Sequence, residues 1–217
     1  MAEKTRVLIA DDHPIFRQGL IKLLEAHEPS LIVGECGDGM ETLQCIRDLK
    51  PDIAIVDISM PTMNGLEIIR CAKRENLPVE FIVLTMYKEE EYLNEALDHG
   101  IKGYLVKDNA VSDLITCLKA VARGECYVSP IVSNYLIRRK ERIESLYVKN
   151  PELANLTATE KRILKLIADN MTSRQIAGAL CISHRTVQNH RTHICEKLGL
   201  KGYNKLLQFA LENKSCL

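Results

Sequence analysis

Five polar residues stand at the C-terminal ends of four short apolar runs in the first half of the chain. They are Asp11, Asp12, Asp57, Thr85 and Lys107. Carboxylates that lie close together repel one another unless a hard cation joins them, and an octahedral Mg²⁺ that keeps several waters suits such a set. A nearby ammonium would leave Asp57 ionised, as a nucleophile able to form an acyl-phosphate. Taken singly, each residue is better explained as a helix cap, a turn or a solvated side chain, so the hypothesis rests on their shared position.

The alternation of apolar runs with amphipathic segments predicts how these residues are brought together. Short apolar runs indicate strands, and the helical patterns between them, such as 65–76, are long enough to cross over a parallel sheet. The five predicted strands are 6–10, 31–36, 53–57, 80–85 and 103–106. This pattern is typical of an α/β fold with a doubly wound, flavodoxin-like parallel sheet and right-handed connections. In such sheets, ligands and chemistry gather at the C-terminal ends of the strands.

Two classes of enzyme compete with this hypothesis. Hydrolases that use an aspartyl nucleophile on a similar sheet usually carry a second acid two residues later, and here that position is Ser59. Nucleotide-binding enzymes place a glycine-rich loop after the first strand, whereas this chain has "ADDHPIF". The sequence therefore predicts a protein that is not an enzyme.

The first half resembles the receiver domain of bacterial two-component response regulators. The resemblance covers residues 5–123 and is carried by "ADDH" (10–13), "DISMPTMNG" (57–65), "LTMY" (84–87) and "GYLVKD" (103–108). It implies that Asp57 accepts a phosphoryl group from a histidine kinase. It also implies that Asp11, Asp12 and Asp57 hold Mg²⁺, with the backbone carbonyl of Ser59 as a further ligand.

The same resemblance assigns roles to three more residues. Thr85 would hydrogen-bond the phosphoryl group, and Lys107 would form an ion pair with it. Tyr104 would be the aromatic residue that swings inward on activation. We find no departure from the family pattern at these positions.

Charge and composition divide the chain into two parts with different expected partners. Residues 1–128 contain 14 Lys and Arg against 22 Asp and Glu, a net charge of −8, and residues 129–217 contain 15 against 7, a net charge of +8. A basic half is a candidate for nucleic-acid binding, although two solvated surfaces of opposite sign explain the charges equally well. No apolar run is long enough to span a bilayer and no signal peptide is recognisable, so we expect a cytoplasmic protein without a membrane partner. The eight cysteines include no Cys-x-x-Cys pair, which favours reduced structural thiols over disulfides or zinc.

The second half is predicted to be helical. Ser129, followed by Pro130, is a candidate N-cap for a connecting helix. Two capping boxes, "TATE" and "TSRQ", and a further cap at Ser183 then open short helices. The four predicted helices are 158–169, 173–180, 184–198 and 203–213. The tight turn "CIS" between the second and third of them indicates a helix-turn-helix.

The outward face of the helix 184–198 is polar and rich in amides. Amide side chains can pair with adenine edges, and basic side chains bind phosphate, so this face favours DNA over the alternative of a small helical bundle with a charged surface. The predicted DNA contacts are Arg185, Thr186, Gln188, Asn189, Arg191, Thr192 and Lys201. Val187, Ile194 and Leu198 are predicted to face the core.

The segment from Leu156 to Leu200 closely resembles the LuxR/NarL-type DNA-binding domain. That resemblance implies that 184–198 is the recognition helix and that the final helix can mediate dimerisation. Many relatives carry a basic residue where this chain has Gln188, so its base preference is expected to differ from theirs.

Together the two halves predict a response regulator of the NarL/FixJ type. Its domains would be a receiver at 1–128, a helical linker at 129–152 and a DNA-binding domain at 153–217. Phosphorylation would promote a homodimer that binds double-stranded promoter DNA and regulates transcription. The alternative is a DNA-binding regulator whose output does not depend on phosphate.

Overall fold

The chain forms two compact units that divide between Asn134 and Tyr135. This division comes from a computed structural model that describes residues 4–27, 31–201 and 203–214. It falls within the predicted linker 129–152. The predicted domain boundaries themselves stay predictions.

The first unit contains one parallel sheet in the order β2-β1-β3-β4-β5-β6. Its strands are β1 (Arg6–Ala10), β2 (Leu31–Cys36), β3 (Ile53–Asp57), β4 (Glu80–Thr85), β5 (Gly103–Val106) and β6 (Tyr127–Val128). The predicted α/β fold and the bounds of the first five strands are confirmed. The predicted strand count was wrong by one, because the two-residue strand β6 pairs with β5. Two residues are too few to show a period-2 pattern, so the sequence alone does not indicate this strand. It forms because the folded sheet leaves the edge of β5 available for pairing.

In the part of the chain that the structure describes, five α-helices cross between these strands and five more follow them. The first five are α1 (Pro14–His27), α2 (Gly39–Leu49), α3 (Gly65–Arg74), α4 (Glu90–Asp98) and α5 (Ala110–Ala122). The others are α6 (Ser133–Lys149), α7 (Ala158–Ala168), α8 (Ser173–Leu180), α9 (His184–Lys197) and α10 (Tyr203–Glu212). All four helices predicted for the second half are found within one residue of their predicted bounds.

Both faces of the sheet are covered. Val7, Ile9, Ile55 and Leu84 on one face pack with α1 and α5. The alternate residues of the same strands are buried as well, as expected for a parallel sheet covered by helices on both sides.

The strand register brings the chemically active residues to one edge. Ala10 pairs with Val56, so Asp11 and Asp57 follow next to each other. In the same way Thr85 pairs with Val106, which places Lys107 one residue beyond. The chain leaves β1 for β2 on one side and reaches β3 on the other, and such a switch point is where doubly wound sheets bind their ligands.

The start of the connecting segment differs from the prediction. Residues Pro130–Val132 form a short 3-10 turn before α6 begins. Ser129 precedes this turn, but its side chain makes no capping hydrogen bond. Instead, its buried hydroxyl donates to Oδ2 of Asp113 at 2.9 Å. Ser129 thus occupies the predicted N-cap position before Pro130, but at the start of the 3-10 turn and without a side-chain capping hydrogen bond.

The second unit is a helical domain built on capped helix starts. Thr157 with Glu160, and Thr172 with Gln175, form the two predicted capping boxes. The Oγ of Ser183 accepts the N–H of Thr186 at 3.0 Å and caps α9. Apolar residues of all four helices α7–α10 share one core. The helix-turn-helix geometry of α8 and α9 is thus set by local hydrogen bonds that the sequence encodes.

Two further observations bear on the expected class of protein. Among the described residues, no helix is both long and apolar enough to cross a bilayer. The seven cysteines within the described ranges are free thiols. The predicted cytoplasmic location stays a prediction.

Candidate functional site

A buried ion cluster lies at the C-terminal edge of the sheet. The Nζ of Lys107 lies 2.7 Å from Oδ2 of Asp11 and 2.8 Å from Oδ2 of Asp57. Asp57 is only 2% exposed. Lys107 also lies over the ring of Phe16, 5.0 Å from its centroid. The ammonium is therefore fixed between two carboxylates in a site that excludes most water.

This environment changes the proton affinity of both partners. Burial raises the pKa of the Asp57 carboxyl, and the hydrogen bond from Lys107 opposes that rise without cancelling it. Burial alone would lower the pKa of Lys107, but hydrogen bonds to Asp11 and Asp57 outweigh it and the pKa is raised. The lysine is thus held in its charged form, and a further positive charge at the site would favour the ionised form of Asp57.

Four side chains could together hold a metal ion. Ligand atoms of Asp11, Asp12, His13 and Asp57 all lie within 4.8 Å of one another. Oδ2 of Asp11 pairs with Lys107, whereas Oδ1 of Asp12 is buried and has no hydrogen-bond partner of good geometry within the described protein. A buried carboxylate oxygen of this kind, among further acids, fits a hard divalent cation such as Mg²⁺. His13 was not among the predicted ligands.

Tyr87 connects the two predicted switch residues. Its N–H donates to Oγ1 of Thr85 at 3.1 Å, and its carbonyl accepts the hydroxyl of Tyr104 at 3.1 Å. Its own hydroxyl lies 3.1 Å from Oγ of Ser59, and its ring stacks on Tyr92 with centroids 4.2 Å apart. Thr85 and Tyr104 are fully buried, so the ring of Tyr104 points inward in this structure. The predicted swing of that ring stays a prediction.

The loop after Asp57 requires a glycine at its end. A Cβ atom at Gly65 would lie 2.2 Å from the backbone carbonyl oxygen of Asp57. The N–H of Gly65 donates to the carbonyl of Ile58 at 3.0 Å, which closes the loop. Asn64 then caps α3 together with Glu67. The loop that carries Ser59 is therefore held against the strand by backbone contacts that leave no room for a side chain at 65.

In the second unit, most of the predicted DNA contacts share one exposed surface of the helix-turn-helix. Arg185, Gln188, Asn189 and Thr192 are exposed on α9, and Thr186 is half-buried at its start. Lys201 is exposed beyond the end of α9. Val187 and Ile194 are buried and Leu198 is half-buried, which agrees with their predicted place in the core.

Arg191 differs from the other predicted contacts. It is only 6% exposed and lies on the same face of α9 as Val187 and Ile194. Arg191 is therefore not part of the exposed surface that the other predicted contacts of α9 share. Its predicted phosphate contact stays a prediction.

Comparisons with known proteins match both units. The model of the response regulator receiver domain matches residues 7–119. The model of the bacterial regulatory proteins of the luxR family matches residues 154–210. The chain belongs to the NarL/FixJ-type response regulators. This family consists of DNA-binding transcription regulators of two-component systems rather than enzymes.

Other NarL/FixJ-type regulators match almost the whole chain. The oxygen regulatory protein NreC of Staphylococcus carnosus (strain TM300) is 34% identical over 212 residues, which are 96% of this chain and 98% of NreC. A solved structure of the Salmonella typhimurium RcsB response regulator, described for its conformational dynamism in DNA interaction, is 31% identical. It covers 95% of this chain and 97% of its own, with a TM-score of 0.58. A structure of two RcsB dimers bound to two parallel DNAs is 30% identical over 95% of this chain and 98% of its own, with a TM-score of 0.58.

Proposed function

We propose that Asp57 accepts a phosphoryl group from a histidine kinase with the help of Mg²⁺, and that this promotes dimerisation and sequence-specific DNA binding. The observation that carries the proposal is the contact of Lys107 with both Asp11 and Asp57 at the sheet edge, at 2.7 and 2.8 Å. This arrangement provides a buried nucleophile and a fixed positive charge beside it. Both are needed where negative charge develops on a transferring phosphoryl group.

In the transfer step, a carboxylate oxygen of Asp57 attacks the phosphorus of a phosphohistidine in the kinase. The phosphorus–nitrogen bond breaks, and its electron pair returns to the imidazole of the kinase. Lys107 already lies 2.8 Å from Oδ2 of Asp57 and can balance the charge of the new acyl-phosphate. Asp11, Asp12, Asp57 and the carbonyl of Ser59 would hold Mg²⁺, which supplies positive charge to offset repulsion between the acids and the incoming phosphate.

We infer that Thr85 and Tyr104 transmit the modification. The Thr85 hydroxyl now accepts the N–H of Tyr87, and a phosphoryl group would compete for this hydroxyl. The hydroxyl of Tyr104 donates to the carbonyl of Tyr87. Displacement of Tyr87 would therefore also release the ring of Tyr104. Phosphorylation would thereby shift an existing two-state equilibrium toward a dimer-competent form.

Mass measurement after incubation with Mg²⁺ and a small phosphodonor tests the phosphoacceptor. The wild type should gain one phosphoryl group, and Asp57→Ala should gain none. Asp52→Ala is a matched control, because Asp52 is an exposed acid at the opposite end of the same strand. Full labelling of the Asp57 variant would refute the assignment. An unchanged DNA affinity with beryllofluoride would favour the phosphate-independent regulator.

We propose that α9 lies in the major groove, with Gln188 and Asn189 reading bases and Arg185 and Lys201 meeting phosphates. All four side chains are exposed, and Ser183 caps the helix end that would enter the groove. RcsB, similar over most of this chain, has been solved as dimers on DNA. A two-fold dimer would place its half-sites about one helical turn, roughly 10 base pairs, apart.

Binding titrations on cognate and altered duplexes separate these roles. Gln188→Ala or Asn189→Ala should cost about 1–3 kcal/mol and relax the preference at particular base pairs. Lys201→Ala should weaken all sequences alike and flatten the salt dependence. Lys140→Ala removes the same charge from α6 and serves as the control. Equal losses on every sequence for the two amide variants would show that this face does not read bases.

A further inference from the structure

His13 lies within the acidic cluster although neither the predicted ligand set nor the proposed reaction uses it. Its Nδ1 is 2.7 Å from Oδ1 of Asp12 and 3.3 Å from Oδ1 of Asp11. The side chain is 66% exposed, so the imidazole is open to solvent on one side while this nitrogen faces the carboxylates. A residue in that position either pairs with the acids or shares a metal ion with them.

The distances and directions favour a shared metal. Two ligands at right angles on an ion with bonds of about 2.1 Å lie about 3 Å apart, which matches both contacts of Nδ1. The 2.7 Å contact with Asp12 does not have hydrogen-bond geometry, since Oδ1 of Asp12 is buried and has no hydrogen-bond partner within the described protein.

The backbone holds His13 in this place. Its N–H donates to Oδ1 of Asp11 at 2.8 Å, and its carbonyl accepts the N–H of Arg17 in the first turn of α1. The guanidinium of Arg17 in turn contacts the carbonyl of Asp11 and pairs with Glu35 at 3.0 Å. The nitrogen is therefore positioned by the same turn that positions the first two carboxylates.

We propose that Nδ1 of His13 is a further ligand of the metal ion and makes the site prefer a first-row transition metal, Mn²⁺ or Co²⁺, over Mg²⁺. The inference rests on the metal site of the proposed function. Oxygen ligands alone suit Mg²⁺, whereas an imidazole adds affinity for transition metals, in the order Mn²⁺ below Co²⁺. Mg²⁺ still binds through the three carboxylates, so the preference changes without loss of the proposed site.

Metal titration of the full chain tests this proposal. With Mn²⁺ or Co²⁺, His13→Ala should bind roughly tenfold or more weakly than the wild type, while its affinity for Mg²⁺ stays within about twofold. His27→Ala is the control, because His27 is an exposed histidine at the other end of α1. Electron paramagnetic resonance of Mn²⁺ bound to wild-type protein labelled with ¹⁵N-histidine is a second measurement, and it needs no variant. The spectra should show coupling of the Mn²⁺ electron spin to one histidine nitrogen.

The outcomes separate this inference from the proposed function. Equal Mn²⁺ affinities of the wild type and His13→Ala, or spectra without nitrogen coupling, would overturn the role of His13 while normal Mg²⁺ binding leaves the phosphoacceptor site intact. A wild type that binds no divalent ion at this site would overturn both. In the first case the contact of His13 with Asp12 involves no metal ion.

Discussion

Replacing Glu160 with Gln should remove one partly buried ion pair from the DNA-binding unit and leave its helix cap in place. Oε2 of Glu160 accepts from Lys197 at 2.7 Å and from the N–H and hydroxyl of Thr157 at 2.8 and 3.0 Å. Gln175 makes the same capping contacts with Thr172 at the start of α8, without a charge. The variant Glu160→Gln therefore loses the ion pair between α7 and the C-terminal end of α9 but keeps its capping box.

The expected cost follows from the pKa of this carboxyl. Burial raises the pKa of Glu160, but Lys197 and the two contacts from Thr157 outweigh it and lower it from 4.5 to about 2. Such a fall corresponds to roughly 3 kcal/mol of stability at neutral pH. Glu160 is 3% exposed but Lys197 is 34% exposed, so solvent screens one side of the pair. We therefore expect a loss of about 2 kcal/mol.

Hydrogen exchange of α9 measures this loss. A cost of about 2 kcal/mol should speed the exchange of its most protected amides roughly thirtyfold at neutral pH. Because the folded pKa is the lower one, the contribution is complete above about pH 4.5 and disappears as the pH falls toward 2. Wild type should lose this protection over that range, whereas Glu160→Gln has none to lose. Glu152→Gln, an exposed acid outside the pair, is the control. Equal exchange at neutral pH, or the same pH dependence in both proteins, would refute the reasoning.

Three further substitutions probe the receiver unit. Gly65→Ala would place a Cβ 2.2 Å from the carbonyl oxygen of Asp57, so the free energy of unfolding measured by thermal denaturation should fall by about 1–3 kcal/mol. Labelling of Asp57 by a phosphodonor should fall as well. An unchanged melting temperature would show that the loop 58–65 can move to accommodate the methyl group. Tyr104→Phe removes the 3.1 Å hydrogen bond to the carbonyl of Tyr87 and should cost about 1 kcal/mol in denaturant titrations, unless that carbonyl finds another donor. Thr85→Ala should keep the labelling of Asp57 but weaken phosphate-induced dimerisation, measured by sedimentation; normal dimerisation would place the switch elsewhere.

Local patterns predicted the regular elements well. The run 53–56 is apolar and short, and together with Asp57 it forms a strand that is buried throughout. The capping boxes at Thr157 and Thr172 mark helix starts because their hydrogen bonds join residues only three apart. Features of this kind depend on neighbouring residues alone, so the sequence carries them completely.

The burial of Arg191 could have been predicted from the sequence. Arg191 stands four residues after Val187 and three before Ile194, which is the spacing of a single helix face. A basic side chain near a DNA-binding surface suggested phosphate contact, but its position in the apolar stripe predicts burial. The period of the helix was the better guide than the residue type.

The contacts of Tyr87 and His13 were beyond the sequence for a different reason. Tyr87 meets Ser59 and Tyr104 across two loops, 28 and 17 residues away along the chain. His13 adjoins two predicted ligands, yet the direction of its ring depends on the turn into α1. Such contacts are set by the packing of separate elements, and no local pattern encodes them.

Ser129 has a consequence for where the receiver unit can be cut from the rest of the chain. Its N–H donates to the carbonyl of Tyr104, and its hydroxyl accepts the N–H of Val106 while donating to Asp113. A fragment that stops at Val128 would keep all six strands but leave these polar groups of β5 and α5 without their partner Ser129. One of these groups, the N–H of Val106, lies next to Lys107 of the site. A fragment that continues to Asn134 retains Ser129. We therefore expect the smallest stable fragment of the receiver unit to include the first residues of the segment that follows β6.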